Sequence, residues 1–193
     1  MKFYTFAKGI VKGVLTPLYR VKRIGGENFP KEGPVLICAN HINNLDPLAV
    51  GITSPRDIHF MAKEEIFRVP ILKSILPKVN AFPVKRGMSD REALRKGLSA
   101  LKEGNVMGLF PEGTRSKTGE LGEGLAGAGF FALRSKAVVV PCAVIGPYKL
   151  FGTVKVVYGD PIDFEKYREE KVSADEATKI IMEEIRKLIY GNK

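Results

Sequence analysis

Tryptophan is absent from the 193 residues, and histidine and cysteine occur only twice each. Cys38 and Cys142 each sit inside an apolar run, which leaves neither a disulfide framework nor a four-ligand zinc site to build. Two lone thiols in strands need no oxidation and fit a reducing compartment. Phosphate-cradling glycine loops are missing too. There is no GxxxxGK[ST], and Gly122–Gly127 fits GxGxxG only superficially, because no strand precedes it and Leu125–Leu133 reads as a small-residue helix. No GxSxG nucleophile elbow occurs, which argues against a covalent acyl-enzyme. Nor is there an apolar stretch near the ~20 residues of a spanning helix. The run Ala137–Tyr148 is twelve residues free of charge and contains two prolines. Lys8 and Lys12 interrupt any signal-peptide core. The expectation is a soluble or surface-attached protein.

What the chain has in excess is positive charge: 31 Lys and Arg against 21 acids, a formal +10. Such a balance favours nucleic acid, anionic lipid or a phosphate-bearing small molecule as partner. It is unevenly spread, since residues from Asp160 onward carry nine acids and seven bases. Aromatic residues are 9% and are not interleaved with the bases outside the N-terminal segment, which disfavours nucleic acid. Residues 1–23 hold six bases (Lys2, Lys8, Lys12, Arg20, Lys22, Arg23) and no acid. Phe3, Phe6, Ala7, Ile10, Val11, Val14, Leu15 and Leu18 recur there at helical spacing. This basic amphipathic helix has two readings: an interfacial helix on an anionic bilayer, or a helix packed on its own domain.

Past Pro30, short β-branched runs alternate with helical ones. Strands are expected at Val35–Ala39, Ile58–Ala62, Ala81–Val84, Val106–Phe110, Ala137–Val140 and Thr153–Tyr158. Helices are expected at about Lys63–Leu76, from a Ser89–Glu92 capping box to Glu103, across Gly124–Ser135, and from a Ser173–Glu176 capping box to about Tyr190. The pattern predicts an α/β fold with a mixed, largely parallel sheet flanked by helices, preceded by the N-terminal amphipathic helix. Residues 1–24 are expected to form that helix segment and 25–193 a single domain. In such sheets ligands bind beyond the C-terminal ends of the strands.

Three segments sit at expected strand ends. His41 and Asp46 follow Val35–Ala39, five residues apart. If the intervening residues turn, the carboxylate can accept from one ring nitrogen and leave the other as a base. A loop histidine beside an N-cap aspartate ahead of Pro47 is the other reading. Phe110-Pro111-Glu112-Gly113-Thr114-Arg115-Ser116 places a carboxylate, a guanidinium and two hydroxyls around a glycine, either as a phosphate-recognising turn or as an ordinary polar surface turn. Lys85-Arg86 ends Ala81–Val84, where a solvated basic turn is the plainer reading. His59, inside a strand, reads as structural.

Together these segments resemble the lysophosphatidic acid acyltransferase family of the glycerolipid acyltransferase superfamily, over about Pro30–Gly159. HxxxxD is present as His41 to Asp46 after Asn40, and EGTR as Glu112 to Arg115. Val84-Lys85-Arg86 and Val138-Val139-Val140-Pro141 match the family's intervening and fourth motifs, and Phe60–Lys63 with Glu65–Phe67 is also similar. Two departures stand out. Asn80 occupies a usual glycine position, and Leu125-Ala126-Gly127 replaces a lysine-bearing segment.

The resemblance implies acyl transfer from acyl-CoA or acyl carrier protein to the sn-2 hydroxyl of lysophosphatidic acid, in phospholipid biosynthesis. A related acyltransferase with another lysolipid or glycerol-3-phosphate as acceptor, or a non-catalytic anionic-lipid-binding module, are the alternatives. His41 would be the base and Asp46 its partner. Arg86 and Arg115, helped by Lys63 or Lys85, would hold the phosphate, with Gly113 and Thr114 in the same turn. Glu112 would organise the arginine or the glycerol hydroxyl. No metal or bound cofactor is called for. The expected place is the cytoplasmic face of a membrane, held peripherally by the N-terminal helix.

Overall fold

Val35–Ala39 is apolar at every position, and a strand of that kind is stable only where both sheet faces are covered. The computed structural model describes residues 2–85 and 90–192 and buries all five. The strands are β1 (Lys22–Gly25), β2 (Val35–Ala39), β3 (Ile58–Lys63), β4 (Ala81–Val84), β5 (Val106–Leu109), β6 (Val138–Ile145) and β7 (Lys155–Tyr158). They form one sheet in the order β1-β7-β6-β2-β5-β3-β4. β2 lies at its centre, parallel to both β5 and β6, and β3 and β4 continue the parallel set. β7 runs antiparallel to β6, so the sheet is mixed but largely parallel, as expected from the sequence.

The helices are α1 (Lys2–Tyr19), α2 (Asp46–Thr53), α3 (Pro70–Ile75), α4 (Arg91–Lys102), α5 (Gly127–Arg134), α6 (Glu165–Glu169) and α7 (Ala174–Gly191). Side chains alternate across a strand, and the core divides accordingly. Leu36, Cys38, Met107 and Leu109 pack with Leu101 of α4, Phe131 of α5, and Ile181 and Ile185 of α7. Val35, Ile37, Ala39 and Cys142 pack on the other face with Ala49 and Val50 of α2. α5 approaches α7 so closely that a Cβ at Gly129 would fall 1.9 Å from the Ala174 carbonyl oxygen. The small residues of this helix therefore serve packing. α1 lies against α2, with the Tyr4 hydroxyl accepting from the Ile58 N–H and Lys8 Nζ donating to the Ser54 carbonyl.

Several expectations are corrected. The helix expected over Lys63–Leu76 is broken into a 3-10 turn (Glu64–Arg68), α3 and a second 3-10 turn (Leu76–Val79), with Pro70 the first residue of α3 and Pro77 the second residue of the last turn. α4 is capped by Asp90, whose carboxylate accepts from the Glu92 and Ala93 N–H groups, while Ser89 lies outside the described residues. The Ser173–Glu176 capping box is present. β6 continues four residues past Pro141 to Ile145. Proline is tolerated there because its missing N–H falls between the Val139–Ile162 bridge and the β7 ladder, which starts at Cys142. Asn80 has φ +60°, so the position calls for a residue that accepts the left-handed region, and asparagine does so.

Candidate active site

β2 ends at Ala39, and Asn40 closes its end. The Asn40 amide donates to the Val144 carbonyl at 3.0 Å and accepts from the Val144 N–H at 2.7 Å, adding one rung between β2 and β6. The chain then turns, and Asp46 enters the first turn of α2 behind Leu45, which is the N-cap. Asp46 is thus not the cap that the plainer sequence reading allowed. Its Oδ2 accepts from the Ile42 N–H at 2.6 Å and the Asn43 N–H at 2.7 Å, and lies 2.8 Å from His41 Nδ1. Asp46 is fully buried and His41 is 6% exposed. A carboxylate only accepts, so Nδ1 carries the proton and Nε2 is the ring nitrogen left for a reacting group. The imidazole stacks on Phe110 at 4.2 Å between centroids, and Phe110 stacks in turn on Phe60.

The turn after β5 grips His41 by its backbone. Glu112 Oε1 accepts from the His41 N–H at 3.0 Å, and the Ser116 N–H donates to the His41 carbonyl at 2.7 Å. Burial foremost pushes the Glu112 carboxyl above the usual range, while the backbone N–H groups of His41 and Gly122 pull it back. Gly113 takes φ +67°, and a Cβ there would meet Leu125 Cδ1 at 2.5 Å, so the turn requires glycine. Thr114 and Arg115 project into solvent. Among the described residues, Glu112 forms no ion pair with Arg115.

Because β2, β5, β3 and β4 are adjacent and parallel, their C-terminal ends make one edge. Lys63 stands on that edge as the last residue of β3, exposed and 3.1 Å from Glu65. Lys85 follows β4, exposed, its N–H donating to Asp90 Oδ2 at 2.9 Å. Arg86 lies outside the described residues. The edge therefore gathers His41, Asp46, Glu112, Gly113, Thr114, Arg115, Lys63 and Lys85, while His59 stays within β3, paired in register with Met107. Phe110 and Asn40 stood in the sequence only as flanks of the two motifs; the stacking of the one and the clamp of the other carry no sequence signature. Among the described residues, no group of three or more His, Cys, Asp or Glu side chains could hold a metal ion. A cleft of ≈ 990 Å³ opens between Leu121–Gly124 and α7, and neither His41 nor Asp46 lines it. The arrangement on the edge can deprotonate a hydroxyl and attract an anion.

A family profile described as Acyltransferase matches residues 20–145. The chain is 34% identical over 165 residues to a 1-acyl-sn-glycerol-3-phosphate acyltransferase of Bacillus subtilis, covering 82% of each. It is 30% identical over 179 residues to a chloroplastic 1-acyl-sn-glycerol-3-phosphate acyltransferase of Arabidopsis thaliana, covering 86% of this chain and 50% of that protein. In fold it matches the crystal structure of the 1-acyl-sn-glycerophosphate acyltransferase PlsC from Thermotoga maritima, with a TM-score of 0.75, 22% identity, and coverage of 97% and 78%.

Proposed function

Since the chain belongs to the lysophosphatidic acid acyltransferase family, we propose that it transfers a fatty acyl group from acyl-CoA or acyl carrier protein to the sn-2 hydroxyl of 1-acylglycerol-3-phosphate. The observation that carries this reading is the buried His41 Nδ1–Asp46 Oδ2 contact of 2.8 Å at the C-terminal edge of the sheet, beside the Glu112–Arg115 turn.

In this mechanism His41 Nε2 takes the proton of the acceptor hydroxyl as its oxygen attacks the thioester carbonyl. Asp46 stabilises the imidazolium that forms. Collapse of the tetrahedral intermediate breaks the carbon–sulfur bond, and the imidazolium proton goes to the departing thiolate. The products are phosphatidate and the free thiol. Arg115, with Arg86, Lys85 and Lys63, attracts the acceptor phosphate. General-base catalysis of this kind contributes on the order of 10²–10⁴-fold.

The acceptor is a lipid, so the edge must reach a bilayer. Among the described residues no helix is long and apolar enough to cross a membrane. α1 instead shows two faces. Tyr4 and Leu15 are buried against the domain, whereas Phe3, Phe6, Ile10 and Val14 are exposed in a row. Ile66, Val69, Ile71 and Ile75, on and around α3, are exposed too, and α1 meets this region where Lys78 Nζ lies 5.4 Å from the Phe3 ring centroid. In our reading these residues dip into the acyl boundary of an anionic membrane while neighbouring bases meet its phosphates.

Thiol release from acyl-CoA and acyl carrier protein, measured with lysophosphatidate, glycerol-3-phosphate and a neutral lysolipid, tests the reaction. Release dependent on lysophosphatidate is the expected result. Release with another acceptor alone would replace the substrate, and none with any acceptor would remove the reading.

A further inference from the structure

Two buried polar atoms close to the His41–Asp46 pair have no hydrogen-bond partner: Asp46 Oδ1 and the Tyr148 hydroxyl. All of the Asp46 contacts above fall on Oδ2. Buried polar groups in folded proteins are nearly always satisfied, so each orphan calls for an explanation. Here one atom is an obligate acceptor and the other a donor. Tyr148 follows β6 through Gly146 and Pro147, packs in the same cluster as Ile42 and Ala39, and meets Tyr19 of α1 edge-on at 5.5 Å between centroids. After burial, the charge of Asp46 is the strongest influence holding the Tyr148 phenol protonated.

We propose that Tyr148 is a positioning residue for the general base: its hydroxyl donates to Asp46 Oδ1 when substrate is bound, fixing the carboxylate so that Oδ2 stays on His41. This rests on the base role given to His41 above. Three donors already hold Oδ2, yet they converge on one oxygen and leave the carboxylate free to swing about it. A donor on Oδ1 removes that freedom. It also draws charge away from Oδ2, which makes the carboxylate a weaker partner for the imidazolium. The titratable groups around the pair are Tyr19 of α1, Cys142 of β6 and Glu112 of the turn after β5. Burial pushes the Cys142 thiol up, so it stays uncharged across the neutral range.

The chain has only two histidines, so the His41 imidazole can be titrated by NMR and assigned against a His59→Gln protein. In Tyr148→Phe, the His41 midpoint is expected to rise by roughly half to one pH unit. The acidic limb of kcat/KM is expected to rise with it, while kcat falls and both KM values hold. 3,5-Difluorotyrosine at 148, a stronger donor, is expected to move the His41 midpoint the opposite way. It also serves as the readout if Tyr148→Phe fails to fold. An unmoved His41 midpoint in either folded variant would overturn the proposal. The titration needs no turnover, so a shifted midpoint in a protein inert towards every acceptor would instead condemn the acyl-transfer reading.

Discussion

His41 and Glu112 are joined through the histidine backbone: the His41 N–H donates to Glu112 Oε1 at 3.0 Å, while Ser116 holds the carbonyl of the same residue. Two motifs, their joined residues 71 positions apart in the chain, thus meet at one peptide unit. The carboxylate of the second motif fixes where the first leaves the sheet. The arginine three residues on remains exposed to solvent and free to meet a ligand.

Glu112→Ala and Glu112→Gln separate this role from an electrostatic one. The alanine variant leaves a buried N–H unpaired, which costs about 1–3 kcal/mol. It should lower both the thermal midpoint and kcat. Glutamine keeps an oxygen for the His41 N–H and should recover most of the stability and much of kcat. If the two variants behaved alike and differed from wild type only in the KM for lysophosphatidate, Glu112 would be acting on Arg115 or on the substrate.

His41→Ala should abolish acyl transfer in a protein that still melts cooperatively. Asp46→Asn should cut kcat by about 10²–10⁴-fold with little change in either KM, by loss of the imidazolium partner. Thiol release under saturating substrates is the measurement, and wild-type turnover in His41→Ala would remove the mechanism.

Arg115→Ala and Arg86→Ala should each raise the KM for lysophosphatidate by roughly 10- to 150-fold, the equivalent of about 1.5–3 kcal/mol for a charge-assisted contact, and leave that for acyl-CoA nearly unchanged. Equal rises for both substrates would move the phosphate site elsewhere.

The parts legible in sequence were those with local causes. β2 announced itself because all five residues are apolar, and the Ser173–Glu176 box because its hydroxyl and carboxylate bond their own helix end. β1 did not, since Lys22–Gly25 is mostly exposed and becomes a strand only by pairing with β7, some 130 residues further along. α2 was legible only as a helix start ahead of Pro47 in one of two readings, because its eight residues are short and apolar without a face. Within the site, His41, Asp46 and the Glu112 turn carry recognisable chemistry. The orphan hydroxyl of Tyr148 gave no signal, because only the fold brings it near Asp46.

Asp90 links α4 to Lys85 at the end of β4. The N–H of Lys85 foremost, then that of Ala93, holds its carboxyl below the usual value of 3.8, with Glu92 adding to them. A carboxyl depressed in the folded state stabilises it above the unfolded pKa, and that contribution is lost as pH falls through the folded value. Asp90→Asn should therefore melt below wild type at neutral pH, and the gap should close below about pH 4. A gap that persists at low pH would assign the loss to packing.

α1 shows why truncation is the wrong probe of membrane binding. Tyr4 holds Ile58, Lys8 holds Ser54 and Leu15 is buried, so removing residues 1–20 would strip a packed helix from the domain. Substitution on the outer row avoids this. Phe6 is 64% and Ile10 53% exposed, and Ile71 beyond α1 is 71% exposed. Phe6→Glu with Ile10→Glu removes apolar insertion and adds charge of the wrong sign, so sedimentation with anionic liposomes should be lost while the thermal midpoint holds. Ile71→Glu alone should weaken it. Wild-type binding should favour anionic over zwitterionic vesicles and decline as salt shortens the Debye length from about 10 Å, without vanishing, because the apolar term is not screened. Should the double variant sediment as well as wild type, the exposed row faces something other than lipid, and α1 serves only to cover α2.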